Sequence, residues 1–572
     1  MKLMKIMKLN LIVLLLLQCY AMYANFNSYF SIWHKGNLIS DEGNQSTIYV
    51  SAQSSSESLP HYWSLGVGAG RVNEGLRASW REQLAMAHRE CGFRYVRMHD
   101  VFNDDMFTCF PQRDGSIKYN WQYVDDVYDA MLKMGVRPFV ELAFFPSCLA
   151  AKNSKTQFWY RAHVSVDSTR FDAWHDLVRA FTQHVVDRYG LEEVQQWYFE
   201  VWNEPNLTGT GGFLHGTRSQ YFRLYKEAAL AIKSVNSRLR VGGPATSNFI
   251  ADHRHDGEIL DQKQSRFYPP ETINRQQWKG VWIEEFLAYC ASEKLPVDFI
   301  STHTYPTDYA LDPETGRGRG AVRYVHSLHD DLTWLRAVIA KSHYPKAELH
   351  ITEWSTSPNS RDRLHDNLPP AAYIVKTMLD CRGLAESVMY WTFTDIFEEK
   401  GGAATPFHGG FGMMTFQGWK KPSYHAFRML HALGDEQLYY ADPIIVTRDS
   451  HNRRITALAF NYPDEYIQKV PDMGDIKHYM KAGSKTIDLC INDLPPHASF
   501  AIETLDDTHG NALRAFQQLG SPETPTREQS EWMKKQSMAT LTEEVKADAN
   551  GTLRIRRVLQ PWTLMLFRQI KP

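Results

Sequence analysis

Two apolar runs in this chain each stop at a glutamate. Residues 197–206 (WYFEVWNEPN) are aromatic and β-branched as far as Val201, then turn polar through Asn203, Glu204, Pro205 and Asn206. Further along, 348–355 (ELHITEWS) has the same design, a short strand whose last turn carries Glu353. A carboxyl placed where an apolar strand meets a turn is partly desolvated, which raises its pKa and suits it to give up a proton near neutral pH. Two such carboxyls at two strand ends are what cleavage of a glycosidic bond needs. Either one alone is as readily a surface glutamate that ends a strand, so the chemistry lies in the pairing.

Such a pair needs a rigid frame, and the pattern around it supplies one. Short apolar strands are expected near 63–69, 93–99, 136–143, 197–203, 238–243, 297–303, 348–354 and 388–394. Amphipathic helical patterns fill the gaps near 77–91, 123–134, 171–189, 219–236, 280–293, 321–341 and 370–382, with an eighth near 423–432. Strand-then-helix units in series predict an α/β fold, a (β/α)8 TIM barrel whose chemistry sits at the C-terminal ends of its strands. Glu204 then ends the fourth strand and Glu353 the seventh. After residue 436 the helical rhythm stops, and strand patterns at 444–447, 455–460, 486–490, 499–503, 552–556 and 563–567 predict a C-terminal β-sandwich accessory domain. The charged stretch 525–547 reads as a helical insertion into it. The expected organisation is therefore a signal peptide (1–24), an N-terminal segment contributing strands to the sandwich (25–62), the catalytic barrel (63–436) and the sandwich (437–572).

Strand periodicity selects further residues for the barrel mouth. Arg97 and His99 are two apart and face the same way, and a buried Arg beside a carboxylate lowers its pKa, which suits a nucleophile. His303 and Tyr305 end the sixth strand, beside the strand of Glu353, within reach for the phenol to hydrogen-bond that carboxylate. Residues 66–70 (GVGAG) imitate a dinucleotide-binding loop, but Arg71 follows and no ribose-binding acid stands at the right distance. They read instead as close backbone packing at the first strand. No Ser-hydrolase elbow, zinc-protease helix motif or phosphate-binding loop is present, and the scattered cysteines have no metal spacing, so neither a metal nor a cofactor is expected.

Bulk composition narrows the partners. Lys+Arg number 63 against Asp+Glu 65, for a net charge of −2, so a nucleic-acid partner is not expected. Aromatics reach 13% with 16 Trp, the side chains that stack on sugar rings, although core packing must account for most of them. Lys2, Lys5 and Lys8 precede an apolar run from Leu9 to Leu17 with small residues at Ala21 and Ala24, an export signal too short to span a bilayer comfortably. An exported protein, periplasmic or extracellular, is expected, with membrane attachment only if Cys19 is lipidated; Gln18 stands where a lipoprotein signal wants a small residue. The other six cysteines read mainly as buried small hydrophobes, with an occasional disulfide in an oxidising compartment. Oligomeric state is not legible.

The chain resembles the β-xylosidases of glycoside hydrolase family 39. The pieces that carry the likeness include GVGAGR (66–71), YVRMHDVFNDD (95–105), FEVWNEPNL (199–207), HITEWSTSP (350–358), YWTFTDIFEE (390–399) and KKPSYHAF (420–427), in order across nearly the whole chain after the leader. The resemblance implies Glu204 as general acid/base and Glu353 as nucleophile. It implies that Asn203 binds the sugar 2-hydroxyl, that His99, Glu398 and Glu399 bind other hydroxyls, and that Trp391 and Phe411 wall the sugar. His303 and Tyr305 match the arrangement beside the nucleophile. The implied activity is a retaining, exo-acting β-xylosidase taking an oligosaccharide substrate. Another terminal sugar, an α-L-arabinoside or a uronic acid glycoside, and a non-catalytic carbohydrate-binding protein are the alternatives. A uronic acid would call for a basic residue at the subsite, and the sequence places none.

Overall fold

The computed structural model describes residues 47–207, 212–247, 279–311 and 318–571, with backbone alone at 307–311 and 318–321. The expected export signal, Cys19 and most of the N-terminal segment lie outside the described residues. Among the described residues no helix is long and apolar enough to cross a membrane.

Eight parallel strands close into a barrel: β1 (Gly66–Arg71), β2 (Tyr95–His99), β3 (Arg137–Leu142), β4 (Tyr198–Val201), β5 (Arg240–Thr246), β6 (Phe299–His303), β7 (Glu348–Trp354) and β8 (Ser387–Tyr390). Each is followed by a helix: α1 (Ala78–Cys91), α2 (Gln122–Lys133), α3 (Phe171–Tyr189), α4 (Arg218–Val235), α5 (Ile283–Ser292), α6 (Ser327–Lys341), α7 (Pro369–Asp380) and α8 (Pro422–His431). This is the (β/α)8 barrel expected. Its strands read as continuous apolar runs because helices cover the outside while side chains fill the inside.

The inside is layered. At the N-terminal end Tyr95, Phe139, Tyr198, Phe299 and Met389 form an apolar plug. Two residues further along the same strands the inward positions become Arg97, Glu141, Glu200, Ser301 and Trp391, all almost fully buried. One more step brings His99 and His303 to the rim. Gly68 of β1 leaves room for this layer, because a Cβ there would collide with Cε3 of Trp391. The glycine run of β1 is thus a close-packing device.

The C-terminal region is a sandwich. A seven-stranded sheet runs in the order Glu57–Ser58, Glu436–Ala441, Ile444–Arg448, Ile455–Phe460, Leu564–Lys571, Ser499–Leu505, Leu541–Lys546. A three-stranded sheet is built from Ile48–Ser51, Lys485–Asn492 and Leu553–Leu559. Val50, Val446 and its strand partner Ala457, Leu489, Phe500, Ile555 and Phe567 share the core between the sheets. One expectation fails here. Of 525–547, only Arg527–Gln536 is helical, and Leu541–Lys546 is an edge strand paired with Ser499–Thr504. Its largely exposed, charged residues carry a helix-like composition, and the neighbouring strand's hydrogen bonds decide the matter.

Candidate active site

β4 delivers its carboxyl through a strained turn. Trp202 has φ 74° and Glu204 φ 42°, in the left-handed region that side-chain-bearing residues rarely adopt. The Glu204 N–H donates to the Ala245 carbonyl at 2.8 Å, tying the end of β4 to β5. Asn206 completes the tie, donating to the Ser247 carbonyl at 2.8 Å and accepting from its N–H at 2.9 Å. Glu353 stands one residue before the end of β7. The two glutamates and His303 meet in one place: one ligand-type atom from each lies within 4.8 Å of the others.

Each carboxyl has its own surroundings. Glu204 Oε1 lies 2.9 Å from His303 Nδ1, and burial raises its pKa to about 7 against the opposing pull of a Ser247 hydrogen bond. Glu353 is held from both sides, accepting from Arg97 Nη1 at 2.7 Å on Oε1 and from the Tyr305 hydroxyl at 3.1 Å on Oε2. Arg97 therefore stands where expected, but the lowering of the Glu353 pKa anticipated from it does not prevail. Burial lifts this carboxyl above its ordinary value, and His303 and Arg97 only partly counter it. Burial depresses His303 to about 4, so between two carboxyls it is a neutral ring near neutral pH.

Beneath the pair lies a charge cluster. Arg97, with no exposed side-chain surface, meets Glu141 at 2.8 Å, Glu200 at 2.5 Å and Glu353 at 2.7 Å. Its Nη2 also donates to Asn203 Oδ1 at 2.8 Å, which orients that amide. His99 Nδ1 sits 2.6 Å from Glu141; burial opposes a charge on the ring, but Glu141, Glu399 and Glu353 together outweigh it and the pKa lies well above the ordinary value. Neither Glu141 nor Glu200 was picked out from the sequence. A signal existed, since a carboxylate inside a continuous apolar strand demands a buried partner.

The sugar-facing candidates divide. Trp391 packs on His99 with centroids 4.7 Å apart, and Phe411 closes against Phe397 at 5.5 Å. Glu399 approaches His99 Nε2 at 3.5 Å and lines a cavity of about 420 Å³ together with Gln157, Phe158, Phe213, Ser360 and Phe411. Glu398 is not brought to that cavity: its carboxylate is clamped by Arg71, at 2.8 Å, and by Arg77. Its N–H donates to Glu74 Oε1 at 2.8 Å, and the other oxygen of Glu74 accepts from the Arg71 N–H at 3.2 Å. Glu74 is fully buried and fits only because residue 70 is glycine, where a Cβ would collide with its Oε2. Glu74 lies in the short 3₁₀ helix Val72–Leu76 and Phe158 and Phe213 in loops, none with a periodic pattern, and sequence reasoning missed them.

A family profile described as "Glycosyl hydrolases family 39" matches residues 46–261 and 276–554. The chain is 35% identical over 481 residues to a β-xylosidase of Caldicellulosiruptor saccharolyticus, spanning 83% of this chain and 88% of that one. It is 32% identical over 509 residues to a β-xylosidase of Geobacillus stearothermophilus, spanning 88% and 91%. The crystal structure of the GH39 enzyme from Xanthomonas axonopodis pv. citri superposes with a TM-score of 0.78 at 29% identity, covering 94% of this chain and all of that one.

Proposed function

Because the chain belongs to glycosyl hydrolases family 39, and so is a glycoside hydrolase, we propose that it is a retaining, exo-acting β-xylosidase releasing xylose from the non-reducing ends of xylo-oligosaccharides. The observation that carries the retaining reading is the closeness of Glu204 and Glu353, each with an oxygen within 4.8 Å of the other's. Retaining sites hold their carboxyl groups about 5–5.5 Å apart, whereas inverting sites leave about 6.5–9.5 Å for a water.

In the first step a Glu353 oxygen attacks the anomeric carbon as the bond to the leaving oxygen breaks, and the Glu204 proton passes to that oxygen. In the second step water attacks the same carbon, gives its proton to Glu204 and frees Glu353. Arg97 and Tyr305 hold the attacking carboxylate in one orientation, and the raised pKa of Glu204 keeps its proton in place until it is needed. Since Asn203 Oδ1 accepts from Arg97, its NH2 is the end turned to the sugar 2-hydroxyl. His99 and Glu399 face the other hydroxyls. The exo reading draws support from the Trp159 N–H bonded to the Glu399 carbonyl at 3.3 Å, which joins the loops after β3 and β8 beside the sugar site. The leader expected over 1–24 makes the enzyme an exported one.

A terminal uronic acid is the second reading, favoured by Lys400, which lines the same cavity next to Glu399. The test is hydrolysis of the p-nitrophenyl β-xyloside, α-L-arabinoside, β-glucoside and β-glucuronide, with the configuration of the released sugar followed by proton NMR. Preference for the xyloside with retention is expected. Preference for the glucuronide would move the assignment to the second reading, and inversion on any substrate would overturn the mechanism.

A further inference from the structure

Outside the charge cluster and the cavity lined by Glu399, two half-buried thiols that the catalytic reading does not use face each other between the loops after β2 and β3. Cys109 opens the hairpin Cys109–Pro111/Ile117–Tyr119 in the loop after β2. Cys148 lies in the turn where Leu149 N–H meets the Pro146 carbonyl, in the loop after β3. The loops are pinned side by side: the N–H of Ser147, next to Cys148, donates to Asp104 Oδ1 at 2.9 Å. Arg170 Nη2 holds the Cys148 carbonyl at 3.0 Å from the other side. In this corner the two thiols interact with each other, and Cys109 sits opposite Tyr119 across its hairpin. The remaining described cysteines, Cys91, Cys290, Cys381 and Cys490, are buried.

We propose that Cys109 and Cys148 are a redox pair that closes to a disulfide, stapling the loop after β2 to the loop after β3. The oxidant is a small or protein disulfide, and the exchange balances without any other reactant. The Cys148 thiolate attacks one sulfur of the oxidant, giving a mixed disulfide and releasing one thiol. The Cys109 thiolate then attacks Cys148 Sγ, forming the internal bond and releasing the second thiol; the two cysteine protons end on the two released thiols. Contact with Cys109 lowers the pKa of Cys148, consistent with its attacking first. The staple closes a loop that includes β3, and the two joined segments bear on the sugar site. The loop after β3 carries Phe144 and Phe158, which flank His99 with centroids 6.1 and 6.2 Å away, and the loop after β2 begins directly behind His99, the last residue of that strand.

The test equilibrates the full chain with oxidised glutathione, quenches with acid and maps peptides by mass spectrometry. The expected product is a Cys109 peptide joined to a Cys148 peptide, two hydrogens lighter than the reduced pair and separated again by dithiothreitol. The thermal midpoint should rise by a few degrees on oxidation, because the cross-link restricts the unfolded chain. Cys109→Ser and Cys148→Ser should each lose that rise and leave a glutathione adduct on the surviving thiol. Free thiols at both positions after equilibration, separate glutathione adducts on each, or a link from either to a different cysteine would overturn the pairing. The outcome does not depend on which glycoside the enzyme cleaves.

Discussion

Glu353 and Glu204 are the same residue type, each with an oxygen within 4.8 Å of the other's, and the roles proposed for them rest on what touches them. Glu353 is gripped by an arginine and a phenol, which favour its carboxylate; Glu204 faces a neutral histidine and keeps its proton to about pH 7. Replacing Glu353 by Ala should cut turnover by about 10⁴-fold or more on every glycoside. Glu204→Ala should cost far less on an activated aryl xyloside than on xylobiose, because only the latter leaving group needs the proton. Equal losses on both substrates would reject these roles. The raised pKa also has a sign. As the proposed acid, Glu204 acts in its protonated form, so kcat/KM for xylobiose should decline as pH rises through about 7, and that limb should vanish in the Glu204→Ala variant. Arg97 is a different case, since its loss leaves Glu141, Glu200 and Glu353 buried without their shared cation. Arg97→Met should therefore destabilise the fold by about 3–5 kcal/mol, readable in urea unfolding.

At the scale of elements, the loop after β8 is the part most dependent on outside support. It carries Glu398, Glu399 and Phe411, yet it has no regular structure of its own between Tyr390 and Pro422. Three devices hold it. Glu74 accepts the Glu398 N–H, Arg71 and Arg77 grip the Glu398 carboxylate, and two helices of the C-terminal region, Ala512–Gln518 and Arg527–Gln536, press Ala512, Ala515, Phe516 and Met533 onto Trp419 and Phe407. Glu74→Ala frees a buried N–H and loosens the loop that presents Glu399. The expected result is a rise of about tenfold in KM for xylosides with a smaller change in kcat, the size of one or two lost hydrogen bonds. An unchanged KM would show that the loop holds its place without this carboxylate.

For the whole molecule, barrel and sandwich share packing through one strand, so they are expected to unfold together. The strand Leu564–Lys571 puts Phe567 into the core between the two sheets and Leu566 into the core shared with the barrel. Phe567→Ala should cost about 3–5 kcal/mol, and although its site is far from the glutamates it should lower the midpoint of activity loss together with that of tryptophan fluorescence. Two separate transitions would instead make the sandwich an independent unit.

Much of this was legible from the sequence, for reasons that differ from part to part. Parallel strands covered on both faces write themselves as apolar runs, and helices between them as amphipathic ones, so the eight β/α units and the strand-end positions of Glu204 and Glu353 follow from local pattern. The edge strand Leu541–Lys546 did not, because an exposed edge carries a helix-like composition. Nor did the fate of Glu398 against Glu399: two adjacent glutamates in a loop look alike until Arg71, Arg77 and Glu74 claim one of them. The sequence by itself determined the barrel, its sandwich and the strand-end positions of the two glutamates. Tertiary structure alone decided their protonation and their partners, because desolvation and charge act through space between residues that local pattern cannot bring together.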